Sequence, residues 1–270
     1  MAPTFKAVVL ARGLGVRLRR SDPAAPLDQA QAAAAIAGLK GMVPLNGHPL
    51  LDYTLTALAD AGYREVCLVV GPEHAVVREW YLRHARPSRL QVGFAIQAKP
   101  LGTADAVLAA EGFAGADRFL VVNADNYYPV EALQALRLLE SAGIAAFTSA
   151  ASTRAGNIPA ERVARFPTVT VGADGALDTL REPDAGDAAL QADALVSMNC
   201  WMFTAAIFRA CRAVAPSASG ELELPEAVRV SVQGGERYRV LPFDLPVLDL
   251  TARADVASLE ARLAGVAVRY

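Results

Sequence analysis

The 270-residue chain carries 26 basic and 28 acidic side chains, a formal net charge of −2. This balance argues against a general nucleic-acid or membrane-surface binder, because such proteins carry a broad excess of positive charge. The sequence also has no run of 18 apolar residues and no signal-peptide pattern at its N-terminus. We therefore expect one cytoplasmic domain over residues 1–270, with no nucleic-acid or membrane partner.

Cysteine and histidine side chains suggest no metal site or disulfide framework. The three cysteines lie in apolar contexts without C-x-x-C spacing, and no histidine has metal-ligand spacing. Free cysteines of this kind behave as small buried hydrophobes. We predict a structural role for Cys67, Cys200 and Cys211.

The first half of the chain alternates short apolar runs with helix-length segments, which is typical of a mostly parallel sheet covered on both faces. The apolar runs predict strands at Lys6–Ala11, Glu65–Gly71, Leu90–Gln97 and Arg118–Asn123. The segments between and after them predict helices at Leu50–Ala61, Glu73–His84, Thr103–Glu111 and Val130–Ser141. Right-handed crossovers place the loops after these strands at one sheet edge, where open α/β sheets bind ligands.

The second half has a looser pattern from about residue 145 onward. It predicts antiparallel pieces and one final helix, Arg253–Val266, with apolar residues at helical spacing. We interpret it as a lid or acceptor-side addition to the first half. The antiparallel pieces are Pro167–Gly172, Ala176–Arg181, Leu195–Phe203 and Tyr238–Leu241.

An alanine-rich tract, Ser21 to Gly38, interrupts the alternation early in the chain. Its two early prolines and its alanines predict a loop that leads into a short helix. Two interpretations stay open, a surface excursion and a mobile flap over a binding site.

The stretch VVLARGLGVRLRR, from Val8 to Arg20, follows the first predicted strand with two glycines and several arginines. A dinucleotide fingerprint requires a third glycine where Leu18 stands, and no Gly-Lys-Ser or Gly-Lys-Thr of a Walker motif occurs. A generic phosphate cradle remains, because glycines let backbone N–H groups approach an anion and arginines supply forked charged donors.

Three later segments strengthen the phosphate interpretation. Lys40 stands before an apolar helix, and Gly102-Thr103 begins another helix, where free N–H groups can bind phosphate or a base carbonyl. Asp125 follows a buried strand, a place suited to hydrated Mg²⁺. N-capping of the next helix is the alternative role for Asp125.

In this order, the segments resemble the sugar nucleotidyltransferases, also called sugar-1-phosphate nucleotide pyrophosphorylases. The family signature Leu-Ala-x-Gly-x-Gly-x-Arg-Leu matches Leu10 to Leu18. The similarity extends over nearly the whole chain. Its other matching positions are Lys40, Pro49–Tyr53, Gln97, Pro100–Ala104, Ala124-Asp125, Asn199, Glu221, Glu223 and Asp249.

The resemblance implies a Rossmann-like three-layer α/β sandwich with a mostly parallel central sheet and a smaller antiparallel acceptor-side part. It implies a nucleotide-binding half over residues 1–145 and a sugar-binding and closing half over residues 146–270. The implied reaction joins a nucleoside triphosphate to a sugar 1-phosphate and releases pyrophosphate. The attacking phosphate is mostly dianionic near pH 7, so no general base is required.

Residue roles follow from the resemblance, position by position. The implied catalytic residues are Arg17, Lys40 and Asp125, with Mg²⁺ bound by Asp125 and Asp249. UTP or dTTP is the favoured nucleotide, and Arg12 is a further candidate for the triphosphate. The implied nucleotide-binding residues are Leu10, Ala11, Gly13, Gly15, Gln97, Gly102 and Thr103, and the sugar-binding residues are Glu182, Asn199 and Glu221.

The sequence departs from the family pattern at several positions, including Leu39 in place of a proline, and the departures at LREPD and at the tail leave the acceptor open. Arg12 replaces a small residue, and 23 positions (40 − 17) separate Arg17 from Lys40, more than is usual. LREPD, Leu180 to Asp184, lacks the lysine of the family's Glu-Lys-Pro, and the tail at Asp249 lacks its glycine. A non-catalytic nucleotide or sugar-phosphate sensor and a nucleotide-sugar-dependent glycosyltransferase therefore stay as alternatives. The sugar and the oligomeric state, including a homo-oligomer, stay open.

Overall fold

The computed structural model describes residues 3–13, 15–20, 22–183 and 190–270. Leu14, Ser21 and Asp184 of the sequence motifs lie outside the described residues. In the described part of the chain, no helix combines the length and apolar character needed to cross a bilayer. The cytoplasmic location and the assignment of the two halves stay predictions.

The strands reproduce the apolar runs of the first half to within one or two residues. They are β1 (Lys6–Leu10), β2 (Pro44–Leu45), β3 (His48–Pro49), β4 (Glu65–Val70), β5 (Gln91–Ile96), β6 (Phe119–Asn123), β7 (Asn126–Tyr127), β8 (Gly143–Thr148), β9 (Thr168–Val171), β10 (Leu177–Arg181), β11 (Leu195–Phe203), β12 (Arg239–Phe243) and β13 (Leu248–Asp249).

The helices include every one that the sequence predicts, although two of the predicted segments are broken. The segment Glu73–His84 forms α4 and a π-helical turn, Trp80–His84, and Thr103–Glu111 continues from α5 into α6. The helices are α1 (Val16–Arg19), α2 (Gln29–Ala37), α3 (Leu50–Asp60), α4 (Ala75–Glu79), α5 (Thr103–Ala109), α6 (Glu111–Ala114), α7 (Val130–Leu138), α8 (Ser149–Arg154), α9 (Ala160–Val163), α10 (Ala206–Ala213), α11 (Leu224–Gln233) and α12 (Asp255–Leu263).

A parallel sheet of β6, β1, β4 and β5 forms the centre of the first half of the chain. Alternate side chains of these strands enter the cores on opposite faces: Ala7 and Val9 pack on one side and Val8 on the other. Burial on both faces explains the nearly continuous apolar runs. The three-layer α/β fold with a mostly parallel central sheet is confirmed.

The second half joins this sheet through β11, which runs antiparallel to β6, β8 and β9. Its register shifts between Ser197 and Trp201, so that Leu195 pairs with β9 whereas Trp201 pairs with β6. Asn199 lies inside this irregularity with a positive φ of 54°. A strained polar residue where a strand changes partners is a frequent feature of functional sites.

Some expectations for the second half are wrong. The Tyr238–Leu241 piece was expected to be antiparallel, but β12 pairs parallel to β8, with only an isolated antiparallel bridge between Ala176 and Arg239. The sequence pattern also missed β8, α10 and α11. Two adjacent alanines in β8 weaken its strand signal, because alanine has low β-propensity.

The alanine-rich tract does form the predicted helix, α2. This helix begins with a capping box in which Asp28 and Gln31 exchange side-chain and backbone hydrogen bonds. Its Ala35 is fully buried beside Leu18 in a third apolar cluster, which also contains Leu45 and Leu250. The tract is therefore packed against the body of the domain along one helix face.

The three cysteines are buried and unpaired, as the sequence predicts. Burial raises the pKa of the Cys67 thiol to about 12 and also raises the pKa of Cys200 and Cys211. Such thiols stay protonated and inert at neutral pH. Their structural interpretation is confirmed.

Gly143 provides a test of the close contact between β8 and β12. A Cβ at this position would clash with the Leu139 side chain, which is flexible, and would lie 2.8 Å from the carbonyl oxygen of Arg239, which is not. We predict that Gly143→Ala lowers the free energy of unfolding by about 2 kcal/mol, because overpacking forces the strands apart. Urea unfolding checks this, with the helical Gly112→Ala as control, where a Cβ meets nothing within 4 Å. Equal stability of both variants would contradict the close packing.

Candidate active site

A cavity of about 390 Å³ opens at the sheet edge where β1 and β6 end. Twelve residues that the sequence selects line it: Leu10, Ala11, Gly13, Gly15, Arg17, Lys40, Gln97, Gly102, Thr103, Asp125, Asn199 and Glu221. Of the selected residues, Glu182 and Asp249 are outside its lining. Sequence reasoning thus located the cavity, and the structure adds how its groups are held.

The glycine turn leads from β1 into α1 and presents Arg17. Gly15 has a positive φ of 59° and precedes α1, a conformation that favours glycine. The Arg17 side chain lines the cavity, and its guanidinium has no hydrogen-bond or ion-pair partner within the described ranges. Arg17 is therefore available to an anionic ligand.

Arg12, which the sequence suggested for the triphosphate, also lines the cavity, but its guanidinium is already paired with other protein groups. Its Nε donates to Oε1 of Glu73 at 3.1 Å, and Nη2 lies 3.3 Å from Oε2 of the same carboxylate. Nη1 donates to the backbone carbonyl of Gln97. Because its side chain is only 6% exposed, Arg12 supports the loop after β5.

Gln97 is held in one orientation by two acceptors. Its Nε2 donates to the carbonyl of Gly102 at 2.9 Å and to Oδ2 of Asp105 at 2.8 Å. Both amide hydrogens are therefore used. The Oε1 atom, which has no donor among the residues that the structure describes, is left as an acceptor for a ligand.

Gly102 and Thr103 connect this loop to the second half. A Cβ on Gly102, whose φ is +115°, would lie 2.5 Å from the carbonyl oxygen of Leu222, so a larger residue does not fit. The Thr103 hydroxyl accepts a hydrogen bond from the N–H of Leu224 at 2.9 Å. The segment that carries Glu221 is therefore fixed against the loop that carries Gln97.

Lys40 and Asp125 form an ion pair in the cavity, with 2.7 Å between Nζ and Oδ2. Lys40 begins a short 3₁₀ turn, Lys40–Met42, and Asp125 follows β6. Oδ1 of Asp125 has no protein partner in the described part of the chain. The carboxylate thus keeps one oxygen free for a further ligand.

Asp249 lies beside this pair, although it does not line the cavity. Its neighbour in the β13–β7 pair is Asn126, the residue that follows Asp125. Three side chains hydrogen-bond its carboxylate: Asn126 at 3.0 Å, Thr251 at 2.7 Å and Arg162 at 3.1 Å. Burial, and next the negative charge of Asp125, raise the pKa of Asp249 to about 6.

The donor set around Asp125 and Asp249 fits Mg²⁺. This cation prefers oxygen ligands and is usually held by one or two carboxylates together with substrate phosphates and water. The described residues contain no group of three acidic, histidine or cysteine side chains able to hold a metal without such help. The mutual repulsion that raises the pKa of Asp249 is one that a divalent cation would relieve.

Arg162 is the main residue that sequence reasoning missed. Its guanidinium bridges Asp249 and Asp255, with 2.8 and 2.7 Å to the two oxygens of Asp255. Asp255 in turn accepts from the backbone of Thr251 at 2.9 Å. No sequence motif identifies Arg162, because it lies 87 residues from Asp249 in the sequence and contacts it only in the folded chain.

The second half of the chain contributes Asn199 and Glu221 to the cavity lining. Oδ1 of Asn199 accepts from the indole Nε1 of Trp201 at 3.3 Å, which leaves its Nδ2 as a donor. Glu182 is exposed and lies outside the cavity lining. Desolvation of its carboxyl group, and next the charge of Glu223, raise its pKa above the ordinary value.

Comparison with known proteins agrees with this geometry. A family model described as nucleotidyl transferase matches residues 6–245. The chain belongs to this family. Among its relatives, UTP–glucose-1-phosphate uridylyltransferase of Haloferax volcanii is 27% identical over 261 residues, which cover 96% of each chain.

Two further nucleotidyltransferases extend the comparison. Glucose-1-phosphate thymidylyltransferase of Streptomyces griseus is 30% identical over 237 residues, which cover 87% of this chain and 59% of that protein. The solved inositol-1-phosphate CTP transferase from T. maritima superposes with a TM-score of 0.75 at 17% identity, covering 98% of this chain and 99% of that one. The resemblance to sugar nucleotidyltransferases is confirmed, and the chain is a nucleotidyltransferase.

We predict that Arg162→Met lowers the free energy of unfolding at pH 7 by about 3 kcal/mol, because it leaves two buried carboxylates without their cation. The pKa of Asp249 is raised from 3.8 to about 6, so this group contributes stability below pH 4 that is lost as the pH rises through 6. The cost of Arg162→Met is therefore smaller at pH 5, where Asp249 is mostly protonated. Chemical denaturation at both pH values measures this, with the exposed Arg165→Met as control. A cost that is the same at pH 5 and pH 7 would contradict the role of Asp249.

Proposed function

We propose that this nucleotidyltransferase transfers the nucleotidyl group of UTP or dTTP to a sugar 1-phosphate in a Mg²⁺-dependent reaction that releases pyrophosphate. The observation that carries the proposal is the cavity that brings together Arg17, which has no partner among the described residues, the Lys40–Asp125 pair, Asn199 and Glu221. Two relatives are named for glucose 1-phosphate, which supports a hexose 1-phosphate as acceptor.

Positive charge and backbone donors suit the triphosphate end of the cavity. Arg17 offers a forked set of donors to the β- and γ-phosphates, and the turn at Gly13 and Gly15 lets backbone N–H groups approach them. Lys40 supplies a point charge for the α-phosphate and for the leaving pyrophosphate. Leu10 and Ala11 line the floor of the same end.

The position of the Gln97 amide favours a nucleotide base that donates a hydrogen bond from a ring N–H. Its Oε1 is the free acceptor, because Gly102 and Asp105 occupy both hydrogens of Nε2. Uracil and thymine carry N3–H at their recognition edge, whereas N3 of cytosine is an acceptor. This difference favours UTP or dTTP over CTP.

The reaction needs positioning and charge neutralisation. A non-bridging oxygen of the sugar phosphate attacks the α-phosphorus, a new P–O bond forms, and the α–β bridging bond breaks with its electron pair leaving on pyrophosphate. The attacking group is already mostly dianionic near pH 7, so no side chain has to remove a proton. Arg17 and Lys40 stabilise the charge that moves to the leaving group.

Asp125 and Asp249 would hold Mg²⁺ beside the α-phosphate. When bound, the cation supplies charge neutralisation and orientation of both phosphates. The partners of Asp249, namely Arg162, Thr251 and Asn126, hold its carboxylate in place beside Asp125.

The acceptor end provides both hydrogen-bond donors and hydrogen-bond acceptors for sugar hydroxyls. Asn199 keeps Nδ2 as a donor, and Glu221 offers carboxylate oxygens as acceptors. We propose that Glu182, farther from the nucleotide, contacts the sugar ring from outside the present cavity lining. No lysine follows it, since Pro183 comes next in the chain.

Pyrophosphate release from a matrix of nucleoside triphosphates and sugar 1-phosphates tests the proposed function. We expect turnover with UTP or dTTP that EDTA abolishes and Mg²⁺ restores. Lys40→Met and Asp125→Asn should each lower kcat about 100-fold or more, because charge stabilisation in such sites is worth that much. The exposed Lys99→Met is the matched control and should stay within about twofold of the parent.

The same matrix, together with a nucleotide-binding measurement and incubation with finished nucleotide sugars, separates the alternatives. Tight nucleotide binding without pyrophosphate release for any pair would indicate a sensor. Hydrolysis or transfer of sugar from a finished nucleotide sugar, again without pyrophosphate chemistry, would indicate a glycosyltransferase.

Asp105 provides a test of how the base is selected. Asp105→Ala removes one of the two acceptors that orient the Gln97 amide, so the preference for UTP over CTP should fall by about tenfold. Asp105→Asn keeps an acceptor oxygen and should retain most of the preference. The ratio of kcat/KM for UTP and CTP measures it. An unchanged ratio in Asp105→Ala would show that Asp105 does not contribute to base selection.

A further inference from the structure

The segment between Arg17 and Lys40 contacts the elements that carry these two residues. Helix α2 packs along α1, where Ala35 and Leu18 are each fully buried in the same apolar cluster. Arg19, at the end of α1, donates from Nη2 to the carbonyl of Ala37 at 3.3 Å. The helix that carries Arg17 therefore rests on α2.

The end of α2 touches the glycine turn backbone to backbone. Gly38 terminates the helix with φ 75°, and Gly15 has φ 59°. A Cβ on Gly15 would lie 3.1 Å from Cα of Gly38 and 3.2 Å from its carbonyl oxygen. Gly15 thus combines a left-handed conformation with a contact that leaves little room for a side chain, and Gly38, on the other side of this contact, is left-handed as well.

Lys40 is positioned from the same point. It follows Gly38 by two residues, and the intervening Leu39 donates its N–H back to the carbonyl of Ala34 at 3.0 Å. The 3₁₀ turn that begins at Lys40 therefore starts directly from the end of α2.

The other end of α2 is anchored to the rest of the domain. The side-chain Nε2 of Gln31 donates to the carbonyl of Pro44 at 3.1 Å and to Oε1 of Glu260 at 2.9 Å. These bonds connect α2 to β2 and to α12. The segment is therefore held at both ends and along one face.

From these contacts we infer that residues 22–38 form a fixed support that sets the distance between the Arg17 turn and Lys40, with Gly38 as a positioning residue for the triphosphate. The inference rests on the proposed function of Arg17 and Lys40. Displacement of the support should weaken nucleotide binding and leave the sugar-phosphate end unaffected, because Asn199 and Glu221 lie on other elements.

Two matched pairs of variants test the support. Gly38→Ala forces alanine into the left-handed region at the contact, whereas Gly235→Ala does so at φ 94° where a Cβ meets nothing within 4 Å. Ala35→Leu enlarges the buried face of α2 against Leu18, whereas Ala33→Leu makes the same change on its exposed face. Ala35→Val, with Ala33→Val, provides a smaller step should Ala35→Leu fail to fold.

The measurements are the KM for UTP, the KM for the sugar 1-phosphate, kcat, and the dissociation constant of UTP by calorimetry, below the melting temperature of each variant. We expect Gly38→Ala and the Ala35 variants to raise the KM and dissociation constant for UTP about tenfold or more, since small misplacement of binding groups has effects of this size. The KM for the sugar phosphate should stay within about twofold of the parent, and the Gly235 and Ala33 variants should match the parent in all four quantities.

The result that would overturn the support differs from the result that would overturn the proposed function. Lower melting temperatures with unchanged UTP affinity in Gly38→Ala and the Ala35 variants would overturn the support, and so would equal weakening in the controls. Absence of turnover in the parent chain with every substrate pair would overturn the proposed function, while calorimetric UTP binding would still decide the role of Gly38.

Discussion

The parallel pairing of β1 with β6 is the constraint on which the site depends. It places Leu10 opposite Asn123, so that the glycine turn and Asp125 begin from neighbouring points at one sheet edge. Both strands are buried on two faces, and a slip by one residue would exchange the core-facing sets of Val8 and Val9. Burial of apolar side chains therefore positions the glycine turn next to the Asp125 carboxylate.

The two neighbouring carboxylates of the site then require positive charges close to them. Asp125 and Asp249 come near each other because β7 pairs with β13, and each carboxylate has its own cation, Lys40 or Arg162. The two cations differ in their surroundings. Arg162 also forms an ion pair with Asp255, whereas Lys40 lines the cavity. Arg162 thus fixes Asp249 from two sides, and under the proposed function Lys40 would exchange its carboxylate partner for a phosphate.

Most of the first half of the chain could be predicted from the sequence, because strands buried on two faces have nearly continuous apolar runs and the loops that follow them share one sheet edge. The order of motifs was enough to select twelve residues that line one cavity. The rest depends on tertiary contacts that have no local signature. The parallel pairing of β12, the Arg162 bridge and the binding of Arg12 to Glu73 all join distant segments. The alanine-rich tract shows the same limit, since its helix was predictable and its contact with Gly15 was not.

The central claim is that one cavity makes and breaks the bond between a nucleotide α-phosphate and pyrophosphate. Exchange in the reverse direction tests it most directly: the protein is incubated with UDP-glucose or dTDP-glucose, Mg²⁺ and radiolabelled pyrophosphate. We expect the label to enter UTP or dTTP, with sugar 1-phosphate formed in equal amount and no exchange in EDTA. Failure of the label to enter any nucleoside triphosphate, while the protein binds the nucleotide sugar, would contradict the claim.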